Sequence, residues 1–197
     1  MNTSQKQTIA QTLAQTVLRL IGWKMDTRFP DTPKYLLIVA HHTSNWDLPL
    51  GLLFTIAAGV KVHWIGKDGV FRWPFGGFMR WLGGIPVNRR VRSNFVDQIA
   101  QAFEQSDELV ITITPEGTRS KTEYWKSGFY YIGQEANVPI ALGYLDYSSK
   151  TVGSGGWMML TGDMEADLVA IREFYASKKG KFPNQHGEIR FRPRSNP

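Results

Sequence analysis

The sequence predicts an α/β fold, with a mixed, largely parallel central sheet flanked by helices, and three observations carry that expectation. The run Leu36-Leu37-Ile38-Val39-Ala40 is apolar without alternation, as in a strand covered on both faces. It gives way at once to the polar stretch His41-His42-Thr43-Ser44-Asn45-Trp46-Asp47, and then to an apolar segment, 48–60, that reads as a helix. A strand running into a polar turn recurs at 109–113, followed by 114–120. Open α/β sheets build their sites in such turns, outside the carboxyl ends of the strands.

Taken in order, residues 7–23 predict an amphipathic helix with Ile9, Leu13, Val17, Leu20 and Ile21 on its apolar face and mostly Gln and Thr opposite. Such a helix either docks on the domain or lies on a membrane surface, and the scarcity of lysine favours docking. Residues 24–35, with Pro30 and Pro33, read as a connector. The helix that begins at Trp46 ends near Gly59, and 60–65 is a second strand built from β-formers. Residues 66–77 are a loop broken by Pro74 and glycines, 78–82 a short helix stopped by Gly83-Gly84, and 85–87 an extended piece leading to Asn88-Arg89. A helix is expected at 95–105, a strand at 109–113 and a helix at 129–136. The strand expected at 138–142 contains Pro139, which restricts its place in a sheet. Gly153-Ser154-Gly155-Gly156 lacks nucleophile-elbow spacing and reads as a hairpin turn ahead of a strand-like 157–160. Residues 164–177 are helical, and the basic tail from Lys178 carries an edge strand at 188–191. His186, in that tail, carries no signal. No repeat or long linker divides the chain, so one domain over residues 1–197 is expected.

Composition narrows the chemistry. The chain has no cysteine and four histidines, which excludes a disulfide framework and a thiolate metal site and leaves little for zinc, so no metal site is expected. Lys6 is followed by a Gln- and Thr-rich segment, unlike the apolar core of a secretory signal. Residues 48–60 fall short of the ~20 needed to span a bilayer. A soluble or peripherally membrane-associated protein of the cytoplasm is the expectation. The net charge of +6 suits anionic partners. Between Lys61 and Arg92 seven Lys or Arg face the single acid Asp68, interleaved with Trp64, Phe71, Trp73, Phe75, Phe78 and Trp81. These aromatics are either core or an interfacial surface, and Trp73-Pro74-Phe75-Gly76-Gly77 is the part most expected to be exposed. No nucleic-acid motif accompanies the charge, so nucleic acid is not an expected partner.

His42 and Asp47 flank the first polar turn. With Thr43, Ser44 or Asn45 capping the helix, Asp47 falls in or near the first turn, where its carboxylate can reach back to the imidazole. An imidazole takes a proton from a hydroxyl near neutral pH, and a carboxylate on its other nitrogen fixes the tautomer. No protein nucleophile stands beside the pair, so the hydroxyl activated is the substrate's own. The plainer alternative is a helix cap that a histidine happens to precede. His63, inside a strand, reads as a packed residue.

Four ordered stretches now align. His42-x-Ser44-x-x-Asp47, Gly84-Ile85-Pro86-Val87-Asn88-Arg89, Pro115-Glu116-Gly117-Thr118-Arg119-Ser120 and Val138-Pro139-Ile140 resemble the four blocks of the glycerolipid acyltransferase family. Its best-known members are the 1-acylglycerol-3-phosphate acyltransferases. The match covers about residues 36–145, and the first and third blocks are the specific ones. The resemblance implies a glycerol-3-phosphate acyltransferase-like fold. It implies that His42 is the general base that deprotonates an acceptor hydroxyl as it attacks an acyl thioester, with Asp47 orienting it. Glu116, Gly117, Thr118 and Arg119 correspond to the acceptor-binding block, and Arg89 and Arg119 to holders of a phosphate or other anionic headgroup, a task that suits guanidinium forks. Glu116 is expected to orient Arg89 or Arg119, or to accept from an acceptor hydroxyl. Gly117 lets backbone approach the ligand. Read alone, Pro115 to Thr118 is also an ordinary turn.

No cofactor is implied. Acyl-CoA or acyl carrier protein is the co-substrate, and a lyso-lipid or glycerol-phosphate-like hydroxyl the acceptor. The chain departs from the pattern at His41, where the best-known members often carry Asn and which reads as filling space. It departs again at Thr114 and over 124–131. These positions lie near the acceptor block, so ornithine-lipid, sugar-lipid and other lyso-lipid acceptors stay open. Two competing functions remain: an acyl thioesterase at the same dyad, and a catalytically silent membrane-lipid-binding module.

Overall fold

The computed structural model describes residues 7–87 and 93–193. In chain order the elements are α1 (Ile9–Leu20), β1 (Lys24–Arg28), β2 (Lys34–Val39), α2 (Asp47–Ala58), β3 (Val62–Lys67), α3 (Gly76–Trp81), β4 (Gly84–Val87), α4 (Ser93–Gln105), β5 (Leu109–Ile113), α5 (Gly128–Glu135), β6 (Ile140–Asp146), β7 (Thr151–Met158) and α6 (Met164–Tyr175). The strands form one seven-stranded sheet of order β1-β7-β6-β2-β5-β3-β4. Strands β6, β2, β5, β3 and β4 run parallel. β7 pairs antiparallel with β6, and β1 parallel with β7. The sheet is therefore mixed and largely parallel, as the sequence predicts.

β2 lies mid-sheet and is buried on both faces, as its unbroken apolar run requires. On one face Leu36, Ile38, Ile111 and Ile140 meet Phe103, Phe129, Ile132 and Ile171 from α4, α5 and α6. On the other, Leu145 and Val152 meet Phe54 and Ala57 of α2 and Leu18 of α1. Each fully buried large side chain contributes about 2 kcal/mol, whereas exposed pairs such as Arg172–Glu165 add less than about 1 kcal/mol. The core thus fixes the register in which Ile38 lies beside Ile113. That register brings the two polar turns, after β2 and after β5, side by side.

α1 is closed by a capping box between Thr8 and Gln11. It does dock, but through the flank opposite the expected one. Ala14 and Leu18 are buried, and the Gln15 amide donates to the Ala57 carbonyl at 2.9 Å. Small Ala14 lets α1 and α2 close on each other, and the stripe of Ile9 (81% exposed), Leu13 and Leu20 (81% exposed) points away from the domain. Among the described residues no helix is long and apolar enough to cross a membrane.

Four other expectations are corrected. Residues 24–28, read as connector, form β1 at the sheet edge, with the Tyr144 hydroxyl donating to Asp26 at 2.8 Å. The Gly153–Gly156 run is not a turn but the interior of β7, because the Phe174 ring lies where a side chain at 155 would stand. The actual turn is at 147–150. The tail makes a single bridge, Phe191 with Trp125, rather than a strand. β6 begins after Pro139 and continues to Asp146 as a fully buried strand. The aromatic segment divides: Phe71 is core, whereas Trp73 (93% exposed), Phe75, Phe78 and Trp81 face outward.

Candidate active site

The turn 41–46 leaves the carboxyl end of β2 and enters α2. The expected cap by Thr43, Ser44 or Asn45 does not form; Trp46 is the cap residue and makes no side-chain cap bond. Asp47 supplies the order instead. Its Oδ2 accepts from the backbone N–H groups of Thr43 (3.0 Å) and Ser44 (2.9 Å), and lies 3.0 Å from His42 Nδ1. Its Oδ1 accepts from the Tyr147 hydroxyl at 2.7 Å. Burial works to raise the Asp47 carboxyl, but the bonds from His42, Tyr147 and Ser44 outweigh it and hold the group below the usual carboxylate range. The buried carboxylate is therefore ionised. It assigns the proton to His42 Nδ1 and leaves a lone pair on Nε2.

That lone pair is already occupied. Arg119 Nε lies 3.3 Å from His42 Nε2 and donates to it. Arg119 comes from the second turn, where Gly117 adopts φ +63° and its N–H donates to the Thr114 carbonyl at 3.0 Å. Glu116 in the same turn is buried and points inward. Its Oε2 accepts from the His42 backbone N–H at 3.1 Å, and its Oε1 lies 3.6 Å from His41 Nδ1. The expectation that Glu116 orients Arg119 is thus corrected: the carboxylate braces the His42 backbone. Thr118 is exposed, and its hydroxyl accepts from the Ser120 N–H at 3.2 Å. Arg89 lies outside the described residues.

These groups open onto a cavity of about 1220 Å³ at the carboxyl ends of β2 and β5 and beside the first half of β3. One wall is apolar, with Leu48 and Leu52 of α2 facing Val62 and Trp64 of β3. Arg119, Lys121, Lys126 and Arg192 line another part of it, in company with the acids Asp47, Glu116 and Glu123. Among the described residues no group of three or more His, Asp or Glu is arranged to hold a metal ion.

The acyltransferase family model matches residues 24–141. The chain belongs to the acyltransferase family. The crystal structure of the 1-acyl-sn-glycerophosphate acyltransferase PlsC from Thermotoga maritima shares its fold, with a TM-score of 0.53 and 15% identity over 87% of this chain and 80% of that one. No curated protein matches the chain.

In this acyltransferase, Tyr147 and His186 are among the features of the site that escaped the sequence. Tyr147 reaches Asp47 from the β6–β7 turn, far from both motifs, and no local pattern marks it. Burial and the Asp47 charge push its pKa up, so it stays a donor. Tyr147→Phe is expected to lower kcat about 10-fold, the value of one hydrogen bond to a charged group. Steady-state assays with melting curves alongside would show it; an unchanged kcat means the turn alone holds Asp47.

The second is His186, whose ring stacks on that of His41 at 3.7 Å between centroids and 11° between planes. Its Nε2 accepts from the Gly180 N–H at 3.0 Å. Burial, and then the neighbouring His41, push the His186 pKa down to about 4. The unfolded chain, with an ordinary value of about 6.5, binds that proton more readily. Stability from this group is therefore complete above about pH 6.5 and is lost as pH falls toward about 4. Chemical denaturation across that window should show the loss, and His186→Phe should reduce it.

Proposed function

We propose that this protein is an O-acyltransferase that moves a fatty acyl group from an acyl thioester to a hydroxyl of a lyso-lipid or glycerol-phosphate-like acceptor. The observation that carries the reading is the His42 imidazole. It is held at Nδ1 by an ionised, buried Asp47, and Nε2 faces a cavity with one apolar wall and with Arg119, Lys121, Lys126 and Arg192 among its lining residues. His42 Nε2 takes the acceptor hydroxyl's proton as the oxygen attacks the thioester carbonyl. The tetrahedral intermediate collapses, the carbon–sulfur bond breaks, and the imidazolium returns the proton to the leaving thiolate. No acyl-enzyme forms, because no protein nucleophile takes part. Coenzyme A and acyl carrier protein both present their thioester on a phosphate-bearing arm, which suits the lysines and arginines of the lining. The acyl chain lies along Leu48, Leu52, Val62 and Trp64, while the acceptor's anionic group meets Arg119 and, from the second motif, Arg89. Gly117 and Thr118 shape that acceptor turn. No metal or cofactor is needed.

The deciding assay is release of free coenzyme A from palmitoyl-coenzyme A, with and without a panel of lyso-lipids. Acceptor-dependent release with sequential kinetics, insensitive to chelator, is expected. A burst with ping-pong kinetics would sink the direct-attack mechanism, and release that no acceptor accelerates would assign a thioesterase instead.

Such acceptors reside in membranes, so peripheral attachment on the cytoplasmic side is part of the reading. Exposed Trp73, Phe75, Phe78 and Trp81 stand among Arg72 and Arg80, a combination that suits an interface with anionic lipid. The outward stripe of α1 adds apolar surface. Co-sedimentation with phosphatidylglycerol vesicles is expected to fall when Trp73 and Trp81 are both replaced by Ser. Equal binding by that double variant would remove these aromatics from the membrane contact.

A further inference from the structure

Beyond the two motif turns, a third segment closes on the site. Residues 179–186 follow α6 and run across the turn that carries His42. Their start is anchored on the β6–β7 turn: the Tyr147 N–H donates to the Lys179 carbonyl at 2.9 Å, and the Lys179 N–H to Asp146 Oδ1 at 3.3 Å. Gly180 then passes so close to the motif turn that a Cβ there would stand 2.8 Å from Thr43 Oγ1 and 3.2 Å from the His41 carbonyl. The Phe182 N–H donates to Thr43 Oγ1 at 3.2 Å. Gln185, with its amide nitrogen toward the site, donates to the carbonyls of Thr43 at 3.1 Å and Arg119 at 2.7 Å. His186 lies flat on His41, the residue just before the dyad histidine.

We infer that Gln185 and His186 are positioning residues of the acyl-transfer site, which clamp the His42 turn to the Arg119 turn. The chemistry of the bridge is specific. Two carbonyls can only accept, so nothing joins them except a group with two donors and a short reach, and a primary amide supplies both from one nitrogen. The two turns belong to different strands, and their relative position sets the contact between Arg119 Nε and His42 Nε2. His186 completes the clamp from behind. Its ring fixes the His41 plane, and His41 faces Glu116, which holds the His42 backbone. A displacement of about 1 Å between a base and its substrate-holding partner can cost about 100-fold in rate, so a clamp of this kind acts on turnover more than on binding.

This inference rests on the acyl-transfer reading of the site, so its test carries a readout independent of turnover. Gln185→Glu keeps the shape and removes both donors, and Gln185 is exposed, so folding is not at stake. It is expected to lower kcat about 10-fold or more with little change in KM, as loss of two positioning hydrogen bonds requires. His186→Ala should act in the same direction, and His186→Phe, which keeps the stacked ring, should restore most of the loss. In the same samples, without substrate, the imidazole nitrogen shifts of His42 report its contact with Arg119. Movement of those shifts in Gln185→Glu and His186→Ala supports the clamp, even if the wild-type protein transfers no acyl group and the proposed function fails. Unmoved His42 signals in Gln185→Glu overturn it, whatever the rates.

Discussion

Replacing His42 by alanine is expected to lower kcat/KM for acyl transfer by about 10²- to 10⁴-fold, the range of a lost general base. The mutation leaves the cavity and the lysines and arginines of its lining intact, so acceptor and donor should still bind, and the loss should fall on kcat. Asp47→Asn removes the partner rather than the base and should cost about 10³-fold. Asn keeps one acceptor oxygen, so its NH₂ faces either the Tyr147 hydroxyl or the cluster of Thr43 N–H, Ser44 N–H and His42 Nδ1. In either orientation the negative charge that stabilises the imidazolium is gone. Because the native hydrogen bonds hold Asp47 ionised to below the usual carboxylate range, lowering the pH toward 4 should not protonate it. The stabilisation Asp47 gives is present above its unfolded value of about 4 and is lost only as the pH falls further, through its lower folded value. Single-turnover assays of both variants with palmitoyl-coenzyme A and the preferred lyso-lipid check this. A His42→Ala enzyme retaining a tenth of the wild-type rate would end the base assignment.

Arg119→Ala is expected to separate transfer from hydrolysis. Arg119 donates to His42 Nε2, the atom to which the proposed mechanism gives the acceptor's proton. An anionic headgroup arriving in the cavity offers the guanidinium a stronger partner than a neutral imidazole. Arg119 can then leave Nε2 to the incoming hydroxyl, whereas water alone gives it no reason to move. Loss of the guanidinium should lower kcat/KM for the lyso-lipid about 100-fold, the value of charge-assisted bonds to one anion. Thioester hydrolysis without acceptor should hold or rise, because Nε2 is uncovered. The ratio of ester formed to coenzyme A released reads both effects in one assay. If transfer and hydrolysis fall together, Arg119 serves only to prop up His42.

The dyad was legible in the sequence because its parts are local. His42 and Asp47 flank one turn between a strand and a helix, and that spacing brings a first-turn carboxylate back to the imidazole, even though the expected helix cap did not form. Glu116 and Arg119 were legible as a motif but not in their roles. Which way a buried carboxylate turns depends on the donors around it, and here the donor is the His42 backbone N–H. Tyr147, Gln185 and His186 were not legible, because each reaches the site across the fold from a turn or tail whose local sequence looks ordinary.

The same division holds for the fold. The sequence by itself determined a central strand buried on both faces, polar turns after two strands and an amphipathic N-terminal helix, each of which follows from periodicity or from residues close together in the chain. The family came from the resemblance of its four motifs to known members, not from any physical rule. Only the tertiary structure decided which flank of α1 docks, that residues 24–28 form an edge strand, and that a glycine run is strand rather than turn. Those outcomes depend on what packs opposite: α2 against Ala14, β7 beside β1, and the Phe174 ring over Gly155. Packing is a property of pairs of distant segments, and no window along the chain contains both members of the pair.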